Sequence, residues 1–262
     1  MGSRPMDATA YFDAEERTAS VPIWREALVV RDWASLRASR LCYGIGVPRG
    51  DGAPVVAVPG FLGTDFYLLE MFYWLRRVGY RPSLSRIGRN AGCLDTLLDR
   101  LLATVEQAQR ETGRKVHLIG HSLGGLLSRA VAVRRPDLVA SVITLGSPFR
   151  GIRPHPFIMK AVTAVRSRLQ AGPRRAERPD CFTGRCSCEA VTALHGPPPR
   201  AIPQLAIYTR TDGIVDWRMC IEGDQGSDVE VAGTHVGLAF NARVYRIIAE
   251  RLYTLESGRR GD

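Results

Sequence analysis

The stretch KVHLIGHSLGGLLSRAVAVRR (115–135) decides the fold of this chain. Its first part is a short apolar run, which is typical of a strand buried on both faces of a sheet. Its last part is apolar on most sides and ends before Pro136, a residue that cannot continue a helix. The glycines between the two parts allow a tight turn, so the stretch predicts a strand that passes directly into a helix.

The same alternation of strand and helix is predicted on both sides of this stretch. PVVAVPG (54–60) and SVITLGS (141–147) have the character of buried strands, whereas residues 92–112 have the i, i+3, i+4, i+7 spacing of an amphipathic helix. Such an alternation predicts an α/β fold, with a predominantly parallel sheet and helices on both of its faces. Further helices are predicted at 21–43, 65–79 and 242–255, and further strands at 80–86, 204–210 and 228–233.

The pattern also divides the chain. Residues 1–50 are predicted to form an N-terminal arm and helix, residues 51–256 a single α/β domain, and residues 257–262 a tail. Residues 149–200 break the alternation, are rich in Arg and Pro, and are longer than an ordinary connection, which predicts a cap or lid insertion. The alternative is a structural excursion that only shields the edge of the sheet.

Ser122 stands at the turn between the strand and the helix, within Gly120-His121-Ser122-Leu123-Gly124. A serine in this context is predicted to be a nucleophile, because the turn lifts its hydroxyl above the sheet and the helix N-terminus stabilises nearby negative charge. Gly120 and Gly124 are expected to be required, since a side chain at either position would collide with the neighbouring strand or helix.

The sequence GHSLGG (120–125), in its strand-to-helix context, resembles the lipase and esterase branch of the α/β-hydrolase family. The resemblance extends over roughly residues 54–252 and makes Gly120, His121 and Gly124 the nucleophile elbow. It implies an α/β-hydrolase fold, a Ser–Asp–His triad in that chain order, and an oxyanion hole made of two backbone N–H groups.

The oxyanion hole that the resemblance implies has one donor in Leu123, the residue after the nucleophile. The second donor belongs to the loop after an early strand, here in VVAVPGFLGT (55–64). Family members often have His-Gly in this loop, whereas this chain has Pro59-Gly60, so the donor is predicted to be the N–H of Phe61. Because that donor is a main-chain group, the departure from His-Gly has little effect on the prediction that Phe61 supplies it.

The base is predicted to be His235, which follows the last predicted strand and precedes the last helix, where the family places its catalytic histidine. Two other histidines after Ser122 lie in the irregular insertion, at 155 and 195. The acid must come between Ser122 and His235 at the end of a strand. Asp212 directly follows the predicted strand 204–210 and is preferred to Asp216, which lies further out.

Four of the six cysteines lie in or after the insertion. A zinc site is one interpretation, although the C-x4-C-x-C spacing is not a usual ligand pattern, and no metal is assigned. One or two disulfides are preferred slightly, and free thiols are a third alternative. Disulfides would indicate an extracytoplasmic compartment. The residues concerned are Cys181, Cys186, Cys188 and Cys220.

Composition excludes several classes of protein. The net charge of +10 is spread along the chain without a basic stripe, so no nucleic-acid partner is predicted. No apolar run is long enough to span a bilayer, and the polar start lacks the features of a signal peptide, so the default compartment is the cytoplasm. Residues 66–74 (FYLLEMFYW) are interpreted as core rather than as a membrane-binding face. No cofactor motif is present, and the oligomeric state cannot be read.

These observations predict a serine hydrolase that cleaves carboxylic esters of hydrophobic acyl groups through an acyl-enzyme. Its substrate would be a small-molecule or lipid ester, with transient contact with a lipid surface left open. An acyltransferase or thioesterase with the same triad is the alternative. A non-catalytic binding protein of the same fold is disfavoured, because every member of the triad has a candidate.

Overall fold

The computed structural model describes residues 21–151, 154–171, 189–195, 199, 201–223 and 226–258. The strands in this part of the chain are β1 (Pro54–Val58), β2 (Arg81–Leu84), β3 (Val116–His121), β4 (Val139–Leu145), β5 (Gln204–Tyr208) and β6 (Asp228–Glu230). Its α-helices are α1 (Val29–Ala38), α2 (Leu69–Arg77), α3 (Leu94–Thr112), α4 (Leu123–Arg134), α5 (Pro156–Ala171), α6 (Glu189–His195) and α7 (Ala242–Gly258).

The strands form one sheet in the order β2-β1-β3-β4-β5-β6, and every neighbouring pair is parallel. The chain first moves outward from β1 to β2 and then returns to place β3 on the other side of β1. The carboxyl ends of β1 and β3 therefore lie side by side where the direction of winding reverses, which is where open α/β sheets bind ligands.

Alternating strand residues bury the two faces of the sheet under different helices. Val56, Leu118 and Val142 point to one face, into a core shared with α3, α4 and α6. Their neighbours in the chain point to the other face, where α1, α2 and α7 complete a second core. Because both faces are covered, the central strands β1, β3 and β4 are buried along their whole length, as parallel strands usually are.

The segment before β1 packs against the second face. It consists of a 3₁₀ helix (Ile23–Leu28), α1, and a second 3₁₀ helix (Arg40–Tyr43). Leu36 is fully buried there, and the indole N–H of Trp74 donates to the carbonyl oxygen of Leu41 at 2.8 Å. The segment is therefore part of the hydrophobic core.

The interpretation of residues 66–74 as core is wrong in part. Leu68, Met71 and Trp74 are buried, but Phe66 is 83% exposed and Tyr73 is 55% exposed. Phe66 precedes α2 in a short 3₁₀ helix (Asp65–Leu68), and Tyr73 lies on the side of the amphipathic helix α2 that faces solvent. Within the described residues, no helix is long and apolar enough to cross a membrane.

Candidate active site

Ser122 lies at the junction of β3 and α4 in a strained backbone conformation, with φ 51° and ψ −122°. A positive φ is uncommon for a residue with a side chain and costs on the order of 1–3 kcal/mol, so such strain must be held by its surroundings. Here the N–H of Ser122 donates to the carbonyl oxygen of Leu145 on the neighbouring strand at 2.8 Å.

The glycines around Ser122 are required by close backbone approaches. A Cβ atom at Gly124 would lie 2.3 Å from the carbonyl oxygen of Val58 and 2.5 Å from that of Pro59. A Cβ atom at Gly120 would lie 2.4 Å from the Cα of Gly125. Helix α4 therefore starts directly against the end of β1, and this brings the loop after β1 next to the serine.

Replacement of Gly124 by alanine is expected to lower the free energy of unfolding by about 3 kcal/mol, since the new methyl group must displace the backbone at the end of β1. Urea denaturation measures this change. Gly258→Ala is the matched control, because a Cβ atom at Gly258 meets nothing within 4 Å. Equal stability of the two variants would contradict the packing described for the elbow.

The loop after β1 is held by Asn90, which is fully buried. The side-chain amide of Asn90 donates to the carbonyl oxygen of Pro59 at 2.8 Å, and its backbone carbonyl accepts from the N–H of Leu62 at 2.9 Å. Phe61 lies in the braced segment and lines the same pocket as Ser122 and Leu123. Phe61 and Leu123 thus line one pocket with the serine, and that their N–H groups bind an oxyanion stays a prediction.

His235 and Asp212 form a buried pair. The Nδ1 of His235 lies 2.6 Å from the Oδ2 of Asp212, and the two residues are 3% and 2% exposed. The other carboxylate oxygen of Asp212 accepts from the N–H groups of Ile214 and Val215, each at 2.8 Å. With Nδ1 donating to the carboxylate, the Nε2 atom of His235 is left as the basic nitrogen.

The pKa of His235 results from opposing influences. Burial lowers it, but the charge of Asp212, the hydrogen bond to Asp212 and the charge of Glu26 together raise it above the ordinary value of 6.5. The imidazolium form is therefore stabilised at this position, as a general base requires once it has accepted a proton.

Asp216, the less favoured candidate acid, has a different role. Its side chain caps the short helix Trp217–Cys220 by accepting from the N–H of Arg218 at 3.0 Å. Its carboxylate also lies 3.4 Å from the guanidinium of Arg218. Among the described contacts, Asp212 rather than Asp216 is the acid that meets His235.

His121 supports the base loop from the elbow. Burial and the neighbouring His235 lower the pKa of His121 to about 3, so its imidazole is neutral. Its Nε2 lies 2.9 Å from the carbonyl oxygen of His235, and the hydroxyl of Tyr67 lies 3.4 Å from its Nδ1. Because a neutral ring donates from one nitrogen only, Nε2 carries the proton and holds the His235 backbone.

A pocket of about 560 Å³ opens beside Ser122 and His235. Its size suits a small organic ligand, and its walls are largely apolar. Helix α5, in the predicted insertion, contributes Ile158, Met159 and Val162 to the wall. That this insertion acts as a lid stays a prediction.

The cysteine alternatives are not resolved by the described residues. Cys181, Cys186 and Cys188 lie outside them. Cys220 is buried, and burial raises the pKa of its thiol well above the usual value. No group of three or more potential metal ligands occurs among the residues that the structure describes.

Several residues at the site have no counterpart in the sequence predictions, namely Glu26, Asp32, Tyr67 and Asn90. Each makes a few hydrogen bonds to residues that are distant from it in the chain. No local pattern marks them, apart from the turn-forming Gly-Arg-Asn-Ala-Gly (88–92) around Asn90. The other site residues were found because each belongs to a short motif or follows a strand.

Solved structures of similar shape identify the fold. The chain aligns with a metagenome-derived lipolytic enzyme described with LipS and LipT at a TM-score of 0.56 and 15% identity, over 80% of this chain and 96% of the other. A monoacylglycerol lipase from Paleococcus ferrophilus aligns at 0.54 and 19% identity, over 79% and 97%. The chain has the α/β-hydrolase fold, and the predicted fold class is confirmed.

Similarity in sequence is to lipases and to a thioesterase family. A triacylglycerol lipase from Pseudarthrobacter phenanthrenivorans is 44% identical over 108 residues, which are 37% of this chain and 34% of the relative. One from Burkholderia plantarii is also 44% identical over 108 residues, covering 37% and 30%. The profile of the palmitoyl protein thioesterase family matches residues 78–186.

The chain thus spans about a third of the length of the curated relatives that it matches. Within that part, the predicted resemblance to the lipase and esterase branch is confirmed.

Proposed function

We propose that this chain hydrolyses carboxylic esters of hydrophobic acyl groups, with Ser122 as nucleophile, His235 as base and Asp212 as acid. The observation that carries the proposal is that the strained Ser122 lines an apolar pocket together with His235, whose Nδ1 is paired with the buried Asp212. The lipase relatives support the same chemistry, although they match this chain over part of its length only.

In the proposed reaction, Ser122 Oγ attacks the ester carbonyl carbon while its proton passes to Nε2 of His235. The N–H groups of Phe61 and Leu123 stabilise the oxyanion, each contributing on the order of 3 kcal/mol. His235 then protonates the leaving alcohol, and water repeats the sequence on the acyl-enzyme. Asp212 holds the histidine tautomer and stabilises the imidazolium without taking the proton itself.

The apolar walls favour an acyl chain as the occupant of the pocket. A panel of p-nitrophenyl esters of rising chain length tests this, with Ser122→Ala as control. We expect hydrolysis of acyl esters, with a burst of p-nitrophenol that reports the acyl-enzyme. An enzyme that hydrolyses none of the esters, or one whose Ser122→Ala variant keeps full activity, would contradict the proposal.

A thioesterase is the second candidate, because the palmitoyl protein thioesterase profile covers the elbow that contains Ser122. An acyltransferase would use the same triad with another acceptor. Acyl-thioester substrates, and ester reactions with added alcohol, separate the three activities by their products. A larger kcat/KM for thioesters than for matched oxygen esters would favour the thioesterase.

We also propose that the protein contacts lipid surfaces transiently. Phe66 and Phe157 are 83% and 64% exposed, and Leu62, which lines the pocket, is 41% exposed. Phe157 belongs to α5, next to the pocket wall. Co-sedimentation with vesicles at low and high salt tests this contact, and a double Phe66→Ser, Phe157→Ser variant that sediments like the wild type would contradict it.

The activity is expected to fall at acidic pH with a midpoint above 6.5, since His235 must be neutral to accept the proton and its pKa is raised from that value. The acidic limb of kcat/KM for a neutral ester measures this pKa in the free enzyme. Asp212→Asn should shift the limb to lower pH, because it removes the charge that favours the imidazolium. A wild-type midpoint below 6.5 would contradict the expected shift.

A further inference from the structure

Glu26 connects the two loops that carry the proposed acid and base. Its Oε1 accepts from the N–H of Gly213 at 2.9 Å and from the N–H of His235 at 3.1 Å. Its Oε2 accepts from the N–H of Val236 at 2.9 Å. Gly213 directly follows Asp212, so one carboxylate bonds to the peptide after the acid and to the peptides before and after the base.

The described backbone hydrogen bonds between the two segments end just after β6, where the N–H of Val231 donates to the carbonyl oxygen of Tyr208 at 2.9 Å. Beyond that bond, the described direct hydrogen bonds between the two loops come from side chains. The hydroxyls of Thr209 and Thr211 donate to the carbonyl oxygen of Gly233 at 3.1 Å and 2.6 Å. These bonds tie the starts of the loops, whereas Glu26 ties them next to Asp212 and His235.

Asp32, from the same N-terminal segment, holds the neighbouring turn. Its Oδ2 accepts from the N–H and the hydroxyl of Thr234 at 3.2 Å and 3.3 Å. A Cβ atom at Gly237 would lie 2.1 Å from that oxygen. The conformation of the Gly-Thr-His-Val-Gly turn (233–237) is therefore fixed by contacts with two carboxylates, Glu26 and Asp32, that lie about 200 residues earlier in the chain.

We propose that Glu26 is a positioning residue of the active site, which sets the separation and orientation of Asp212 and His235 through the three N–H groups that it accepts. The proposal rests on the proposed function of that pair. Glu26 touches neither substrate nor the reacting atoms and acts through the two loops. The N-terminal segment is then a structural part of the catalytic centre.

The carboxylate of Glu26 also acts on His235 through its charge. Charged and titratable groups surround His235 from several elements. Asp212 after β5 and His121 at the end of β3 contact it, and Glu26 in the first 3₁₀ helix accepts from its N–H. Its chain neighbours bind two more, since Tyr67 donates to the carbonyl oxygen of Val236 and Asp32 accepts from Thr234. Of the three carboxylates, Asp212 and Glu26 contact His235 itself. Removal of the Glu26 charge should therefore move the titration of His235 to lower pH.

Glu26→Gln and Glu26→Asp separate the positioning of the two loops from the effect of the Glu26 charge on the titration of His235. Glutamine keeps the size but loses the charge and one acceptor, and we expect kcat to fall by roughly tenfold to a hundredfold with little change in KM, because the acid–base pair is misplaced. Aspartate keeps the charge but cannot reach both loops, so kcat should fall while the His235 titration stays near that of the wild type.

Glu70→Gln is the matched control. Glu70 anchors the same N-terminal segment through Arg37 at 3.1 Å, but its described contacts do not include the catalytic loops. The readouts are the kinetic constants for a p-nitrophenyl ester and the NMR titration of the His235 imidazole, assigned by its loss in His235→Gln. Glu70→Gln is expected to leave kcat and the titration unchanged.

A Glu26→Gln variant with wild-type kcat and an unshifted His235 titration would overturn the proposal. So would equal losses of activity in Glu26→Gln and Glu70→Gln, since these would show a general effect of loosening the N-terminal segment. If Glu26→Gln does not fold, the Glu26→Asp result decides. If the wild type hydrolyses no acyl substrate, the proposed function fails, while the His235 titration still tests the action of Glu26.

Discussion

Ser122→Ala is expected to lower kcat for an activated ester by roughly a millionfold, to the level that the oxyanion donors and substrate binding sustain alone. The reason is that no acyl-enzyme can form without the Oγ atom of Ser122. Pre-steady-state measurement should show the burst of product in the wild type and its complete loss in the variant. An alanine variant that retains the burst would show that another residue is the nucleophile.

A glycine at the same position provides a control for folding. The backbone of Ser122 has φ 51°, a conformation that glycine adopts without the penalty paid by a residue with a Cβ atom. Ser122→Gly should therefore be inactive as well, yet more stable than Ser122→Ala by about 1 kcal/mol. Thermal denaturation of the two variants compares them, and a less stable glycine variant would contradict the strain described for the elbow.

Asp212→Asn is expected to lower kcat by roughly 10⁴-fold, the size of effect typical of a triad acid. An amide presents an N–H or a neutral oxygen to Nδ1 of His235, so it neither fixes the tautomer nor stabilises the imidazolium. The substitution preserves the shape of the side chain. Steady-state kinetics, with circular dichroism to verify the fold, measures the effect.

Asp216→Asn is the matched control for the acid. Asp216 is buried to a similar degree and lies on the same loop, but its contacts are to the N–H and guanidinium of Arg218. The loss in kcat should stay within a few-fold, with a loss in stability of about 1 kcal/mol from the weakened helix cap. A greater loss of activity in Asp216→Asn than in Asp212→Asn would reverse the assignment of the acid.

The fold was predictable because its signals are local. A buried parallel strand is apolar along its length, and a helix is apolar at regular intervals, so residues 115–135 and their counterparts show the alternation directly. The elbow was predictable for a related reason, since Gly120 and Gly124 are required by backbone approaches within and beside one turn. Phe66 and Tyr73 were misjudged because composition does not reveal which side of a short helix meets the core.

Only those site residues could be predicted whose place follows from the order of strands and helices along the chain. Parallel strands place their carboxyl ends at one edge of the sheet, so residues that follow strands, such as Ser122, Asp212 and His235, could be expected to meet there. Their catalytic roles stay predictions that the variants above test. Asn90 and Glu26 could not be foreseen, because each holds backbone groups of distant loops through a few hydrogen bonds, and such bonds leave no periodic pattern in the sequence.

The sequence by itself determined that this chain has an α/β fold with a predominantly parallel sheet and that one serine stands on a tight turn after a buried strand. Both follow from interactions between residues close together in the chain. Only the tertiary structure decided which carboxylates surround His235, because Glu26 reaches it from 209 residues away and Asp212 from 23. Such pairings depend on how the loops are packed, and packing is a property of the assembled core rather than of any stretch of sequence.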